Sequence, residues 1–470
     1  MAQNPIAGLI PRGSLGLKLL LVCLLVLVMG VPLLFVGALV GQRETRAAQV
    51  TSQIGQLSGG QQIVGGPMLL VPYQHSYDAA DDQGRMQHRM EQGNYVVFAD
   101  TGTADSTLTV EQRRRGIYRA AVYNAAMQFS AHFDPASALR GVDSAYRFDW
   151  SRTRILMFVS DSRAIRNAAQ VRFADGTTAT FEPVSDLSSS APSPDYSRSY
   201  TAPAVQPATG LQAFAASAPL QSQAPFDVQT RLDLSGAQRF AFAAFAQDTT
   251  ARIHGNRRDA SAEGYFQSSQ PLQTTDQGFG LEWRVPFVAR GLEKAADLKD
   301  FNLGNTAARD MAVSFVDPDD VYRGVGRAVA YAIMFIGIVF LATLIFEAVS
   351  GKKAHPAQYI LVGLAQCVFY LLLLSLTELI GFTTAFILAS ASTVSLLAYY
   401  AGVSFKSQAV GVRAFAALAV LYGAMYVLMT LEDFALLAGS IVAFAVIAAT
   451  MIATRRIDWY GRGQPATTAE

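Results

Sequence analysis

The segment from His355 to Ser404 constrains the fold most, because it is almost entirely apolar and contains one residue that is ionised at neutral pH, Glu378. A single helix of this length would extend roughly 70 Å, more than twice the thickness of a hydrocarbon core. Peptide groups inside a bilayer must bond to each other, which requires helix on both halves. The sequence therefore predicts two transmembrane helices joined by a short turn at residues 378–384.

Six apolar segments in the chain are long enough to cross a bilayer. The first, Leu19–Val40, is predicted to be an uncleaved anchor, because it is longer than the apolar region of a signal peptide and no small-x-small site ends it. The other five segments are Ala328–Phe346, Gln358–Thr377, Phe382–Val403, Ala414–Leu431 and Phe434–Ala453. The chain is thus predicted to be a multi-pass α-helical membrane protein with six transmembrane helices.

The basic residues of the short loops and tails lie on one predicted side of the membrane. The flanking lysines and arginines are Arg12, Lys18, Lys352, Lys353, Lys406, Arg413, Arg455, Arg456 and Arg462, whereas the intervening turns carry Glu378, Glu432 and Asp433. The positive-inside rule then places both termini in the cytoplasm. The predicted organisation is a cytoplasmic N-terminus (1–18), helix 1 (19–41), an outward-facing domain (42–325), helices 2–6 (326–454) and a cytoplasmic tail (455–470).

The large polar region 42–325 has the pattern of a β-rich domain. Apolar residues alternate with polar ones from Phe226 to Leu234, as in a half-buried antiparallel strand. Asp175-Gly176 between two short apolar runs indicates a hairpin. The Ser- and Pro-rich stretch 185–209 is predicted to be a loop. We expect antiparallel sheets in a sandwich-like arrangement, with no disulfide, because the region contains no cysteine.

Several stretches of the chain match motifs of one family. In the polar region they are Gly66-Pro67 through Pro72, Arg115-Gly116-Ile117-Tyr118 and Ser160-Asp161-Ser162-Arg163; in the membrane half they are Val316-Asp317-Pro318, His355 through Phe382, and Ile457-Asp458-Trp459-Tyr460. In these motifs the chain resembles the CreD-type bacterial inner-membrane proteins, also called cell envelope integrity proteins. The resemblance implies an inner-membrane location, a periplasmic domain, and a link to envelope integrity and to β-lactam or colicin responses. It implies no established enzymatic activity.

The sequence contains little that indicates catalysis or metal binding. Its five histidines are scattered, its two cysteines lie in apolar runs, and phosphate-binding glycine loops and nucleophile elbows are absent. A net charge of +1 gives no indication of nucleic-acid binding. We therefore predict no catalytic residues, no metal site and no cofactor, and we do not expect an enzyme.

Four residues of the membrane half are candidate functional or interface residues. Glu378 is predicted either to take part in a proton or ion relay or a binding site, or to be an interfacial turn residue whose carboxylate reaches water. His355 precedes Pro356 and is predicted to begin a helix at the cytoplasmic interface. Asp317 is predicted to lie in a rigid joint that could contact headgroups or a cation. Trp459 is predicted to be an interfacial anchor.

The sequence leaves the function open between classes of protein. The preferred hypothesis is a non-enzymatic protein whose periplasmic domain senses or binds an envelope component, a protein or a glycan, in addition to membrane lipids. The alternative is a small-solute or ion transporter or channel that uses helices 2–6, although no inverted repeat is evident. An envelope enzyme is the third hypothesis.

Overall fold

The computed structural model of the protein describes residues 15–80, 85–184, 210–275, 278–315, 321–350, 354–430 and 435–455. It divides into two compact units. We call the first, Met1–Ala48 with Asp319–Glu470, the membrane unit, and the second, Gln49–Pro318, the β unit. The described helices are α1 (Leu15–Gln56), α2 (Pro135–Ala138), α3 (Phe287–Arg290), α4 (Leu303–Ala307), α5 (Val321–Ser350), α6 (Pro356–Ile380), α7 (Phe382–Ser404), α8 (Gln408–Thr430) and α9 (Ala435–Thr454).

Five helices of the membrane unit are long and apolar enough to cross a bilayer, and all five coincide with predicted spans. Among the described residues, the helical segments that contain these five candidate spans are Lys18–Gln56, Tyr322–Ala348, Pro356–Ile380, Phe382–Ser404 and Gln408–Thr430. The sixth predicted span falls on α9, where the apolar helical segment is shorter, Gly439–Ile452. Six transmembrane helices therefore remain a prediction, and five candidate spans are a property of the structure.

The predicted turn between the two halves of the 355–404 segment is reduced to one residue, Gly381. α6 ends at Ile380 and α7 begins at Phe382. Gly381 has a φ of 80°, a backbone conformation that glycine adopts without a steric penalty. Its N–H donates to the Thr377 carbonyl at 3.1 Å. The break in the apolar segment therefore depends on the backbone freedom of this glycine.

The core of the membrane unit is built from α1, α5, α6, α7 and α8. Its buried side chains include Met29 and Val36 of α1, Ile336 and Phe340 of α5, Phe369 and Leu373 of α6, Ala385 and Ala389 of α7, and Met425 and Leu428 of α8. Each of these helices buries one face against its neighbours. The outward faces of the helices are also apolar, and they are exposed. That distribution is typical of helices surrounded by lipid.

The described residues of the β unit form seventeen strands. They are β1 (Gln62–Ala80), β2 (Met86–Arg115), β3 (Tyr118–Phe133), β4 (Tyr146–Phe148), β5 (Arg154–Val159), β6 (Gln170–Phe173), β7 (Thr178–Thr180), β8 (Glu182–Pro183), β9 (Gln212–Ser217), β10 (Phe226–Ala237), β11 (Arg239–Ala243), β12 (Ala246–Gly255), β13 (Ala260–Gly264), β14 (Gln273–Thr275), β15 (Gly278–Val285), β16 (Ala295–Asp297) and β17 (Asp310–Phe315). All seventeen are connected through one network of strand pairings.

The long strand β2 joins two sheets. Its first half, Met86–Phe98, pairs with β1, and its second half, Thr101–Arg115, pairs with β3. Most pairings are antiparallel, as predicted, but β1 pairs with β11 and β2 pairs with β12 in parallel. The expectation of antiparallel sheets thus holds for most pairings and did not include these two parallel ones. Alternating patterns identify a half-buried strand, but they carry no information about which distant strand lies beside it.

One hydrophobic core receives side chains from both sheets. Leu69 and Phe242 come from the β1 sheet, and Phe129, Leu232 and Trp283 come from the β3 sheet. The predicted alternation in β10 is confirmed, because Val228, Thr230, Leu232 and Leu234 are buried and the residues between them are exposed. The 175–176 hairpin is also confirmed, since β6 pairs with β7. The predicted sandwich remains a prediction, and the predicted loop 185–209 lies outside the described residues.

Candidate functional site

Glu378 lies in a polar cluster that contains one residue from each of three helices. Its carboxylate is 3.6 Å from the guanidinium of Arg43 on α1. The hydroxyl of Tyr322 on α5 donates to it at 3.2 Å. The Glu378 side chain is only 12% exposed. The carboxylate is thus already bound by a cation and a hydroxyl group of the membrane unit.

A second cluster of the same composition surrounds Glu347, a residue of α5. Its carboxylate forms an ion pair with Lys18 of α1, and the Tyr359 hydroxyl of α6 donates to it at 3.2 Å. Glu347 is 6% exposed, whereas Lys18 is 39% exposed. A buried carboxylate that lost its cation would carry a large desolvation penalty. Lys18 therefore compensates most of the negative charge inside this part of the unit.

Both clusters connect α1, α5 and α6, but the helix that supplies the acid and the helix that supplies the tyrosine are exchanged between them. At Glu378 the acid belongs to α6 and the tyrosine to α5, and at Glu347 the acid belongs to α5 and the tyrosine to α6. The α1 partners, Lys18 and Arg43, are separated by roughly 37 Å of helix. The clusters therefore lie at opposite ends of the apolar part of α1. Each end of this three-helix group is held by one acid, one base and one hydroxyl.

His355 begins α6, as predicted. Its ring Nδ1 accepts a hydrogen bond from the Ala357 N–H at 3.2 Å, and its own N–H donates to Gln358 Oε1 at 3.1 Å. Pro356 occupies the first helical position, where its lack of an N–H is harmless. His355 is thus a helix cap. The other two candidates, Asp317 and Trp459, lie outside the described residues.

The family motif Gly66 to Pro72 forms the start of β1. A Cβ atom on Gly66 would lie 2.5 Å from the Phe245 ring. Pro67 lies where the β1–β5 register shifts, between Gly65 and Met68. The Pro72 carbonyl accepts from the Asp149 N–H at 2.8 Å. These three motif residues permit close packing and a local irregularity of β1, and they do not converge on a site.

The motif residues Arg115 and Tyr118 flank the turn between β2 and β3. Arg115 donates to Gln53 Oε1 at 3.3 Å. Tyr118 packs beside Val50 and Ile54, on the last turns of α1. The hairpin therefore covers the end of α1 that belongs to the β unit.

Asp161 and Arg163 pair with each other in a short 3-10 turn. The Asp161 carboxylate accepts from the Arg163 backbone N–H at 3.0 Å and from its guanidinium at 2.6 Å. These hydrogen bonds lower the pKa of Asp161 below its usual range. The Asp161–Arg163 pair is a local cap, because the carboxylate is occupied by its own turn.

A cavity of about 340 Å³ in the β unit lies beside the β2–β3 hairpin. Nine of the twelve residues in its wall carry polar side chains; the wall is formed by Thr51, Gln61, Gln112, Arg119, Ala120, Ala121, Gln238, Arg239, Arg257, Glu263, Ser314 and Phe315. These residues come from α1 and from five strands and their connections, so no sequence motif predicted the site. Within the described ranges, no group of three His, Cys, Asp or Glu side chains could hold a metal ion.

The described residues thus define a multi-pass membrane protein with a large β-rich unit between its first and second candidate spans. The family model described as "Inner membrane protein CreD" matches residues 14–460. The inner membrane protein CreD of Escherichia coli (strain K12) is 27% identical over 447 residues, which are 94% of this chain and 93% of that protein. The chain belongs to the CreD family of inner membrane proteins.

Proposed function

We propose that this protein supports envelope integrity by binding an envelope component or a partner protein through its β unit. In this proposal the chain crosses the inner membrane six times, both termini are cytoplasmic, and the β unit folds as a sandwich in the periplasm. The positions of the flanking lysines and arginines support this orientation. The link to β-lactam and colicin responses is part of the proposal and comes from the family resemblance.

The observation that carries this proposal is the cavity of the β unit. Its volume of about 340 Å³ falls in the range of small-molecule sites. Its wall contains guanidinium, amide and hydroxyl groups, which orient a ligand through hydrogen bonds. The cavity wall holds a single carboxylate, Glu263, and no histidine or cysteine. This composition favours binding over acid–base chemistry, so we propose a non-enzymatic role.

Photo-crosslinking in cells tests the proposal. A photoreactive amino acid at Gln112, an exposed residue of the cavity wall, is expected to capture one reproducible partner or glycan. The matched control is Thr178, which is also exposed and lies on a strand that does not line the cavity. Capture from Thr178 alone, or of lipid alone from both positions in a well-expressed protein, would contradict binding at the cavity.

The alternative function, transport, predicts that Glu378 changes its protonation or its partner during a cycle. Arg43 and Tyr322 already bind this carboxylate, which supports a structural role. We expect Glu378→Gln to lower the stability of the membrane unit by about 1–2 kcal/mol, because an uncharged amide cannot form an ion pair with Arg43. We also expect proton flux into proteoliposomes to be no greater with the wild-type protein or the variant than without protein. Flux in the wild type that Glu378→Gln abolishes without loss of stability would favour the transporter.

A further inference from the structure

We propose that the cavity of the β unit binds an anionic group, a carboxylate or a phosphate, carried on a hydroxylated scaffold. This inference rests on the proposed function and names the chemistry of its ligand. It follows from how the charged and amide groups of the cavity wall are already bonded within the protein.

One guanidinium of the wall, that of Arg119, is exposed and pairs with no other described residue. Arg239 pairs with Asp310 at 2.5 Å and with Glu263 at 3.7 Å, and Arg257 pairs with Asp259. In the part of the chain that the structure describes, the guanidinium of Arg119 has no hydrogen-bond or ion-pair partner. A ligand therefore meets an available cation at Arg119, while the carboxylate of Glu263 is engaged by Arg239 and Ser314. Guanidinium groups bind carboxylates and phosphates through two parallel hydrogen bonds.

Three glutamine amides extend the site beyond a single charge. Gln61, Gln112 and Gln238 line the cavity, and their side chains have no hydrogen bond to other described residues. Each amide offers two donors and one acceptor, which suits hydroxyl groups that both donate and accept. The hydroxyls of Thr51 and Ser314 are already used, by the Arg119 carbonyl and by Glu263.

Gln238 supplies an independent indication of a site. It has a φ of 64°, a left-handed conformation that is uncommon for residues other than glycine. It occupies the junction where β10 ends in one sheet and β11 begins in the other. Glycine would adopt this conformation with less strain, yet the position carries an amide that lines the cavity. Strained residues of this kind concentrate at functional sites.

Calorimetric titration of the full chain in phosphatidylcholine nanodiscs tests the assignment. The probes are glucuronate, glucose and glucosamine, which share a sugar ring and differ in charge, and glycerol 1-phosphate with glycerol. We expect each anionic probe to bind roughly tenfold more tightly than its neutral counterpart. Tighter binding of glucuronate indicates an acidic glycan as the source of the group, and tighter binding of glycerol 1-phosphate indicates a phospholipid headgroup.

Three variants test whether probe affinity depends on the cavity itself or only on the positive charge of the surface and on folding. Arg119→Ala is expected to weaken the anionic probes by about tenfold. Arg114→Ala is the matched control, because Arg114 is the exposed cross-strand neighbour of Arg119 and does not line the cavity. Gln238→Gly is expected to weaken binding severalfold without lowering the melting temperature, since it relieves the left-handed conformation.

Three results would overturn the inference. The first is glucose or glucosamine binding as tightly as glucuronate, and the second is an equal loss of anion affinity in Arg114→Ala and Arg119→Ala. The third is absence of binding by every probe to a folded wild-type protein. The crosslinks from Gln112 test the proposed function separately, because they detect any partner at the cavity, whether or not that partner is anionic.

Discussion

Replacement of Lys18 by methionine is expected to destabilise the membrane unit by about 3 kcal/mol. Glu347 would remain 6% exposed, with the Tyr359 hydroxyl as the one hydrogen bond described for its carboxylate. Removing one partner of a buried ion pair typically costs more than the pair contributes, because an uncompensated charge stays buried. Methionine keeps the length and apolar stem of lysine, so the change reports on charge more than on packing.

Substitution of the acidic partner, Glu347, is expected to cost less stability than substitution of Lys18. Glu347→Gln leaves an amide that still accepts from Tyr359, and Lys18, at 39% exposed, retains access to the polar surroundings of its helix end. We expect a loss of about 1 kcal/mol, and a similar loss for the Lys18→Met/Glu347→Gln double variant. The double variant should thus be more stable than Lys18→Met alone, which is the signature of direct coupling in a double-mutant cycle.

The two cysteines allow this measurement inside the membrane unit. Cys367 is buried, whereas Cys23 is exposed. In a Cys23→Ser background, a maleimide dye that fluoresces on reaction reports the temperature at which Cys367 becomes accessible. Arg413→Met serves as the control, because it removes an exposed flanking charge with no described partner; we expect it to change stability by less than about 0.5 kcal/mol. Equal and additive losses for Lys18→Met and Glu347→Gln would contradict a coupled pair.

These pairs show what local patterns can and cannot predict. The length and polarity of the 355–404 segment were sufficient to predict two helices and the break near Gly381, because a bilayer requires that arrangement. The same sequence identified Lys18 only as a charge flanking the first predicted span, and it did not single out Glu347. They are 329 positions apart, and periodicity describes which face of a helix is apolar without showing which helix lies against it. Glu378 was a candidate because it is the one ionised residue of an apolar segment, but the sequence did not identify its partners Arg43 and Tyr322.

In the β unit too, local features were predicted from the sequence, whereas contacts between distant segments were not. Strand alternation located β10 and the β6–β7 hairpin, since each depends on neighbouring residues. The parallel pairing of β1 with β11 joins segments far apart in the chain, and the cavity wall combines α1 with several distant strands. The motif residues of the β unit that the structure describes turned out to pack, cap or hydrogen-bond within the chain. The candidate ligand site was therefore recognisable only after the chain was folded.

The second large effect is expected for Gly66, a motif residue whose role is steric. Gly65 and Gly66 face opposite sides of β1: a Cβ on Gly65 would lie 2.0 Å from the Phe158 ring, and one on Gly66 would lie 2.5 Å from the Phe245 ring. Both rings are fully buried, so neither can move into solvent. Inserting a methyl group into such packing forces side chains and backbone to shift. We expect Gly66→Ala to destabilise the β unit by about 3 kcal/mol.

A second substitution identifies the clash. Phe245→Leu alone is expected to lose about 1.5 kcal/mol through the smaller buried surface, yet it removes the ring that opposes residue 66. The Gly66→Ala/Phe245→Leu double variant should therefore recover at least about 1 kcal/mol relative to additive losses. Gly41→Ala is the control: its Cβ would meet nothing within 4 Å, and alanine is favoured over glycine in a helix. Thermal unfolding of the full chain, followed by the fluorescence of Trp150 and Trp283 in the β unit, measures each variant. A Gly66→Ala protein that melts with the wild type, or strictly additive losses in the double variant, would show that the Phe245 ring does not require glycine at position 66.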